Sequence, residues 1–260
     1  MSETIISRRE GRVGVITVNN PARHNAMSLE MWEAVGRAFE EFKRDNSVRV
    51  VVITGAGGKS FISGADISKF ESERSSAEAV AHYNAVRDAM DKAIMNYPKP
   101  TIAMIRGYCI GGGLGFALNC DLRICTEKST FGVPAAKLGL GYGYDGVKKL
   151  TDLVGPSFAK EIFFTGRQFT AAEAASMGLV NRVLPDSELE SFVNDYASVI
   201  ASNAPLTVDS IKFIVSQVVS DETSDLVKCD NFVKTCFASA DYREGRKAFM
   251  EKRQPNFVGE

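Results

Sequence analysis

Two periodicities divide this chain. Val13 to Val18 is an apolar run closed by Asn19-Asn20-Pro21, which predicts a strand and a turn. Met31, Val35, Phe39 and Phe42 then recur at helical spacing behind Ser28, a helix-capping residue, with Trp32 beside them. Val48 to Thr54 is β-branched and predicts a buried strand, ended by Gly55-Ala-Gly-Gly58. Strand, helix, strand is the opening of an α/β layer. A small-residue turn, Phe61 to Ile67, leads into the polar stretch 68–78, expected to be mobile at its start. A helix over Ala79 to Met95 follows, stopped by Pro98-Lys-Pro100.

Thr101 to Ile105 and Leu122 to Cys125 are apolar, strand-like runs. Between them stand Gly111, Gly112 and Gly113 and a helix-compatible segment, Leu114 to Leu118. Each glycine inside a helix costs about 1 kcal/mol relative to alanine, so three together need a reason. One reason is a turn packed under another backbone. The other is a strand-to-helix turn whose free N–H groups bind an anion, or an oxygen that becomes anionic during a reaction. The spacing fits neither the phosphate loop nor the dinucleotide Gly-x-Gly-x-x-Gly.

Past Phe131-Gly-Val-Pro134 comes a second glycine-rich turn, Gly139 to Gly146. Thr170-Ala-Ala-Glu173 is a capping box opening a helix that stops at Gly178, and Leu179 to Leu184 predicts a last strand. From Glu188 the patterns are helical, over 188–202, 206–219, 222–239 and 241–252. No internal sequence repeat is visible.

Composition narrows the partners. With 45% hydrophobic and 24% charged residues over 260 positions, the chain can bury a large core. Its 31 basic and 32 acidic residues leave a net charge of −1, which excludes a general attraction to nucleic acid or to an anionic membrane. An anionic ligand must be held by local groups. The five cysteines form no C-x-x-C pair, and two histidines make no metal set. Buried thiols, no signal peptide and no 18-residue apolar run make a cytoplasmic location the expectation.

Read together, the segments resemble a known family. They are Pro21-x-x-x-Asn25-Ala26, Ser63-Gly-Ala-Asp-Ile67, Lys99-Pro100, Gly107-Tyr-x-x-Gly-Gly-Gly113 and Cys120-Asp-x-Arg123. Phe131-Gly-x-Pro134, Leu153-Val-Gly155, Thr165-Gly166 and Ala174-x-x-x-Gly-Leu-Val180 continue the series, and Glu244-Gly245, Ala248-Phe249 and Glu251-Lys-Arg253 end it. In this order they resemble the crotonase superfamily, the enoyl-CoA hydratase/isomerase family, over essentially the whole chain.

The resemblance implies an α/β fold: a spiral of ββα units over residues 1–187, then a helical C-terminal region over 188–260 that serves assembly and covers the acyl-CoA site. Homotrimers or dimers of trimers are implied. Coenzyme A is implied as part of the substrate, with no separate cofactor. The backbone N–H groups of Ala65 and Gly112 would hold the thioester oxygen, and Ala65, Asp66, Ile67 and Ser68 would lie along the ligand. Ala22, Arg23 and His24 would approach the adenine. Phe249 and Lys252 would touch CoA bound to a neighbouring subunit, or else belong to a solvated amphipathic helix. Asp121 and Arg123 read as structural.

The chain departs from the family's hydratases at two positions. One hydratase glutamate lies two residues after the glycine triplet, where this chain has Gly115. The other follows the Phe-Gly-x-Pro segment, where it has Ala135. Neither side chain can activate water or deliver a proton. Two-glutamate hydration is therefore not expected, and isomerase, decarboxylase, C–C hydrolase or thioesterase chemistry is. An acyl-CoA-binding homologue without turnover, or residual hydration by another acid, are the alternatives. Tyr142 and Asp145 are the candidate replacements. The plainer readings are pocket lining for Tyr142 and an N-cap of a helix over 146–153 for Asp145. His82 and Tyr83 could edge the pocket from their helix.

Overall fold

A computed structural model describes residues 3–69, 73, 75–220 and 224–260. The chain begins with an antiparallel pair, β1 (Ile5–Glu10) and β2 (Val13–Val18). A 3-10 turn, Pro21–Arg23, leads to α1 (Leu29–Arg44). Ser28 caps α1 as its position predicts, its Oγ accepting from Met31 N at 3.3 Å. Met31, Trp32, Val35, Phe39 and Phe42 form the buried face.

Three units of the same construction follow. β3 (Val50–Gly55) and β4 (Ser60–Ile62) precede α2 (Ala77–Met95). β5 (Thr101–Ile105) and β6 (Tyr108–Ile110) precede α3 (Gly112–Asn119). β7 (Leu122–Thr126) and β8 (Thr130–Gly132) precede a 3-10 turn, Pro134–Leu138, and α4 (Tyr144–Thr165), which is broken at Gly155 (φ 78°) ahead of Pro156. The first strand of each unit joins one sheet, ordered β1-β2-β3-β5-β7-β10, and the second joins another, β4-β6-β8-β9. Each unit thus advances one place in both sheets at once. Parallel pairing within each sheet requires a crossover between successive strands, and the helices supply it. β9 (Phe169–Thr170), α5 (Ala171–Ser176) and β10 (Arg182–Leu184) close the two sheets. The capping box at Thr170 and Glu173 is present.

The short second strands, three residues each, escape the sequence pattern, as does β1. β3 starts at Val50 rather than Val48, and the strand expected over 179–184 covers only Arg182–Leu184. Part of the stretch expected to be mobile, 70–72 and 74, lies outside the described residues, as do 222 and 223 of the helix expected over 222–239.

The main core fills the space between the sheets and α1 to α5. A second cluster lies on the outer face of the six-stranded sheet, where Val50, Val52, Ile102, Met104 and Ile124 meet Leu189, Val193, Ala197 and Ala201 of α6 (Leu189–Ser202). The helical C-terminal part continues as α7 (Pro205–Val218), α8 (Leu226–Ala238) and α9 (Ala240–Glu251). Asp121 anchors it: its carboxylate accepts from Thr101 N and Oγ1 and from Lys212 Nζ at 2.7 Å. Arg123 is buried and donates to the carbonyls of Leu179, Ala117 and Cys120. Both are structural, as read from the sequence. Cys109, Cys120 and Cys125 are buried free thiols, and burial pushes the latter two up to about 12.

Candidate active site

Two turns meet at one place. The first leaves β4 at Ser63-Gly64-Ala65 and is tied to the segment before α1: Met27 N donates to Gly64 O at 2.9 Å, and Asp66 N donates to Met27 O at 2.8 Å. In such a parallel bridge the amides on either side of Ala65 are used, so the Ala65 N–H is directed away from Met27. The second turn leaves β6 and opens α3 at Gly112. The Gly112 N–H is among the first four of a helix, which no i−4 carbonyl can reach.

The glycines of the triplet serve three different ends. Gly111 adopts φ 55°, which a side-chain-bearing residue disfavours, to turn the strand into the helix. A Cβ on Gly113 would lie 2.1 Å from Ile62 O, so this glycine sits tight under another backbone. A Cβ on Gly112 would meet nothing closer than Ala65 N at 3.9 Å, with Gly64 Cα and Trp32 at 4.0 Å. The packing explanation and the open-turn explanation of the triplet therefore both hold, at adjacent residues. Gly112 and Ala65 face each other across a gap without side chains.

Tyr142 stands beside α3 at Gly115, which shares a helix face with Gly112. A Cβ on Gly115 would have one close neighbour, the Tyr142 hydroxyl at 3.6 Å. The tyrosine ring is held there by its edge contact with Phe163, centroids 5.0 Å apart, and by the bare backbone of Gly146, where a Cβ would collide with Tyr142 Cε1 at 2.7 Å. Burial pushes its phenol above the ordinary range; Asp91 adds to the shift and Arg87 opposes it. Ala135 is buried and follows Pro134, whose Cδ lies 3.9 Å from the place of a Cβ on Gly111. Positions 115 and 135 thus both border the glycine turn.

A family profile described as enoyl-CoA hydratase/isomerase matches residues 8–260. The chain belongs to this family. It is 34% identical over 251 residues to a short-chain-enoyl-CoA hydratase of Clostridium acetobutylicum, covering 96% of this chain and 95% of that one. It is 34% identical over 258 residues to a crotonyl-CoA hydratase of Syntrophomonas wolfei, covering 98% of each. The crystal structure of an enoyl-CoA hydratase/carnithine racemase from Magnetospirillum magneticum superposes with a TM-score of 0.92 at 36% identity, covering 100% of this chain and 97% of that one. The expected crotonase-like α/β fold with a helical C-terminal region is the fold observed.

The other residues singled out in this family member fall into four places. Arg23, Asp66 and Ser68 form one knot beside the first turn. Arg23 Nη1 donates to Asp66 Oδ2 at 2.9 Å and to Ser68 Oγ, and Ser68 N and Oγ donate to Asp66 Oδ1 at 3.0 and 2.7 Å. Burial alone would raise the Asp66 carboxyl, but these hydrogen bonds outweigh it and hold the group below its ordinary value. Ala22 precedes Arg23 in an exposed 3-10 turn. His24, left-handed at φ 53°, sets its ring edge-on to Tyr108 with centroids 5.7 Å apart. Ile67 is 66% exposed although apolar, on the rim of the same loop.

Phe249 and Lys252 are exposed at the end of α9, with Phe249 at 82%. Asp145 is not an N-cap: α4 starts at Tyr144 behind Gly143, so Asp145 falls in the first turn, exposed, and acts on Lys149 one turn on. There its charge suits the helix dipole without any capping bond. His82 is exposed, whereas Tyr83 is buried.

A buried polar group beside Tyr142 went unread in the sequence. Asn119 Nδ2 donates to Asp91 Oδ1 at 2.6 Å, Lys149 Nζ donates to Asn119 Oδ1 at 2.7 Å, and Arg87 Nη2 lies 3.7 Å from Asp91. The Arg87 guanidinium lies 3.8 Å over the Trp32 ring. The signal was available: Arg87 and Asp91 sit at helical spacing with Tyr83 and Ile94, on the buried face of α2.

Proposed function

We propose that the protein processes an acyl-CoA by stabilising a thioester enolate, with the Ala65 and Gly112 amides donating to the thioester oxygen. Enolate formation puts negative charge on that oxygen, and two fixed donors favour it by about 3 kcal/mol each. The observation that carries the reading is the open approach of Gly112 to Ala65 N, 3.9 Å from the position of a Cβ. A thioester needs that emptiness to bring its carbonyl to the backbone.

The finer chemistry follows from what borders the gap. Glycine at 115 and alanine at 135 supply neither acid nor base, so the two-glutamate addition of water has no residues to run on. The Tyr142 hydroxyl lies in contact, at 3.6 Å, with the place at which a side chain on residue 115 would begin. A phenol is neutral near pH 7 and donates, so it serves to hold the reacting acyl group or to return a proton to an enolate carbon. Isomerisation, decarboxylation and C–C cleavage can pass through such an enolate, and thioester hydrolysis puts its negative charge on the same oxygen in a tetrahedral intermediate. Asp145, exposed on α4, is the weaker candidate.

The proposed assembly is a homotrimer or a dimer of trimers, with Phe249 and Lys252 reaching a neighbour's CoA. The test is turnover of an acyl-CoA panel by the purified protein and by Tyr142→Phe. Tyr142→Phe is expected to lower kcat by about 10²-fold. An unchanged kcat would remove Tyr142 from the chemistry. The names of the relatives favour a second reading, residual hydration. Crotonyl-CoA hydration at high enzyme concentration separates it: a rate matching the best substrate of the panel would replace the first reading.

A further inference from the structure

One guanidinium donor near the site is left without an acceptor. Among the described residues Arg87 Nη1 is sealed from solvent and has no hydrogen-bond partner, although Arg87 Nη2 lies 3.7 Å from Asp91. The Asp91 oxygen nearest Arg87 is already taken by Asn119 at 2.6 Å, and Asn119 in turn is held by Lys149. Arg87 and Lys149 both lean on Asp91 in a largely enclosed group, with Asp145 and Asp88 also acting on Lys149, so what the group lacks is an acceptor for Arg87 Nη1 rather than a charge. Side-chain exposure is 16% for Arg87 and 25% for Asp91. A guanidinium with an unmet donor under low solvent exposure is costly unless an acceptor arrives.

The position of this cation gives it a use. Arg87 stacks on Trp32, and the same indole reaches 4.0 Å from the place of a Cβ on Gly112. One ring thus separates the guanidinium from the turn proposed to hold the thioester oxygen. Tyr142 stands on the same group, since Arg87 and Asp91 both act on its phenol.

We propose that the acyl group of the substrate carries a carboxylate, which Arg87 receives, so that the protein is selective for monothioesters of dicarboxylic acids. The inference rests on the acyl-CoA reading above and narrows its substrate class. An incoming carboxylate gives the unmet Nη1 donor an acceptor and a charge-assisted hydrogen bond. A purely aliphatic acyl chain would leave that donor buried and unmet. Arg87 is here a specificity-determining residue, and Asp91 tempers its charge.

The experiment compares pairs of equal chain length, succinyl-CoA against butyryl-CoA and glutaryl-CoA against valeryl-CoA, by calorimetric titration of the full-length protein. The carboxylated member of each pair is expected to bind about tenfold more tightly or better, as one charged hydrogen bond allows. Arg87→Met should bring the ratio toward one. Asp91→Asn, which removes the internal competitor, should raise it, a gain that misfolding cannot produce. If all four thioesters bind and the aliphatic members bind as well as the carboxylated ones, the selectivity is overturned and the acyl-CoA reading stands. A ratio unmoved by Arg87→Met and Asp91→Asn also overturns it. If none of the four binds, both readings fall.

Discussion

Gly112 and Gly113 are neighbours with opposite sensitivities. A methyl on Gly113 collides with Ile62 O at 2.1 Å, so Gly113→Ala must move backbone and is expected to cost several kcal/mol of stability, on the order of the upper range for overpacking. A methyl on Gly112 clears every neighbour by 3.9 Å, and alanine suits a helix start, so Gly112→Ala should fold as well as the parent. It should nonetheless lose turnover, because the methyl stands before the Ala65 amide. Thermal melts together with acyl-CoA turnover for the two variants check this; a stable, fully active Gly112→Ala would dismiss the proposed oxygen-binding pair. Tyr142 adds a pH expectation. Its phenol is shifted upward, so activity that needs the neutral hydroxyl should hold through about pH 10 and fall only above it. A pH–rate profile with a basic limb well below that value assigns the limb to another group.

Helices and loops carry the geometry that those residues use. The loop from Gly64 to Lys69 owes its shape to Asp66, whose carboxylate gathers Arg23 and Ser68. The folded carboxyl is depressed, so its contribution is present above the unfolded value near pH 4 and is lost as pH falls through the folded value. The melting-temperature gap between the parent and Asp66→Asn should accordingly be full at pH 7 and close in acid. A gap that persists below pH 2 would mean Asp66 acts by packing rather than by charge. At the start of α1, Ser28→Ala removes one cap and should cost about 1 kcal/mol, read by chemical denaturation. α1 matters to the site beyond its own stability, because it carries the Trp32 ring that lines Gly112 and supports Arg87.

Seen whole, the molecule leaves its last helices unfinished. α8 buries no residue, and α7 buries only Ser210. Ile211, Val215 and Val218 lie along one stripe of α7 at 57%, 54% and 76% exposure, and Val227 and Phe237 of α8 at 73% and 61%. Apolar surface on this scale calls for a cover, and self-association is the expected one. Sedimentation should find an oligomer whose mass is a multiple of three chains, and Phe237→Glu should dissociate it. A monomer at micromolar concentration would dismiss the proposed assembly. Among the described residues no helix is long and apolar enough to cross a membrane, so a bilayer span does not account for this surface.

Elements with a strong period were legible in the linear order of residues. α1, α2, β2 and β5 have faces set by their own side chains, and local preference with burial points to one answer for each. The glycine triplet was legible as a demand for special backbone. The three-residue strands were not, since a segment that short carries no period and exists only through its partners in the second sheet. Nor was the cluster of Arg87, Asp91, Asn119 and Lys149, whose members come from three helices and whose burial is created by the packing between them. The order of residues fixed which backbone turns were bare. Only the stacking of one ββα unit on the next brought Ala65 opposite Gly112 and Tyr142 over Gly115, because those neighbours are far apart along the chain and are joined by sheet register rather than by spacing.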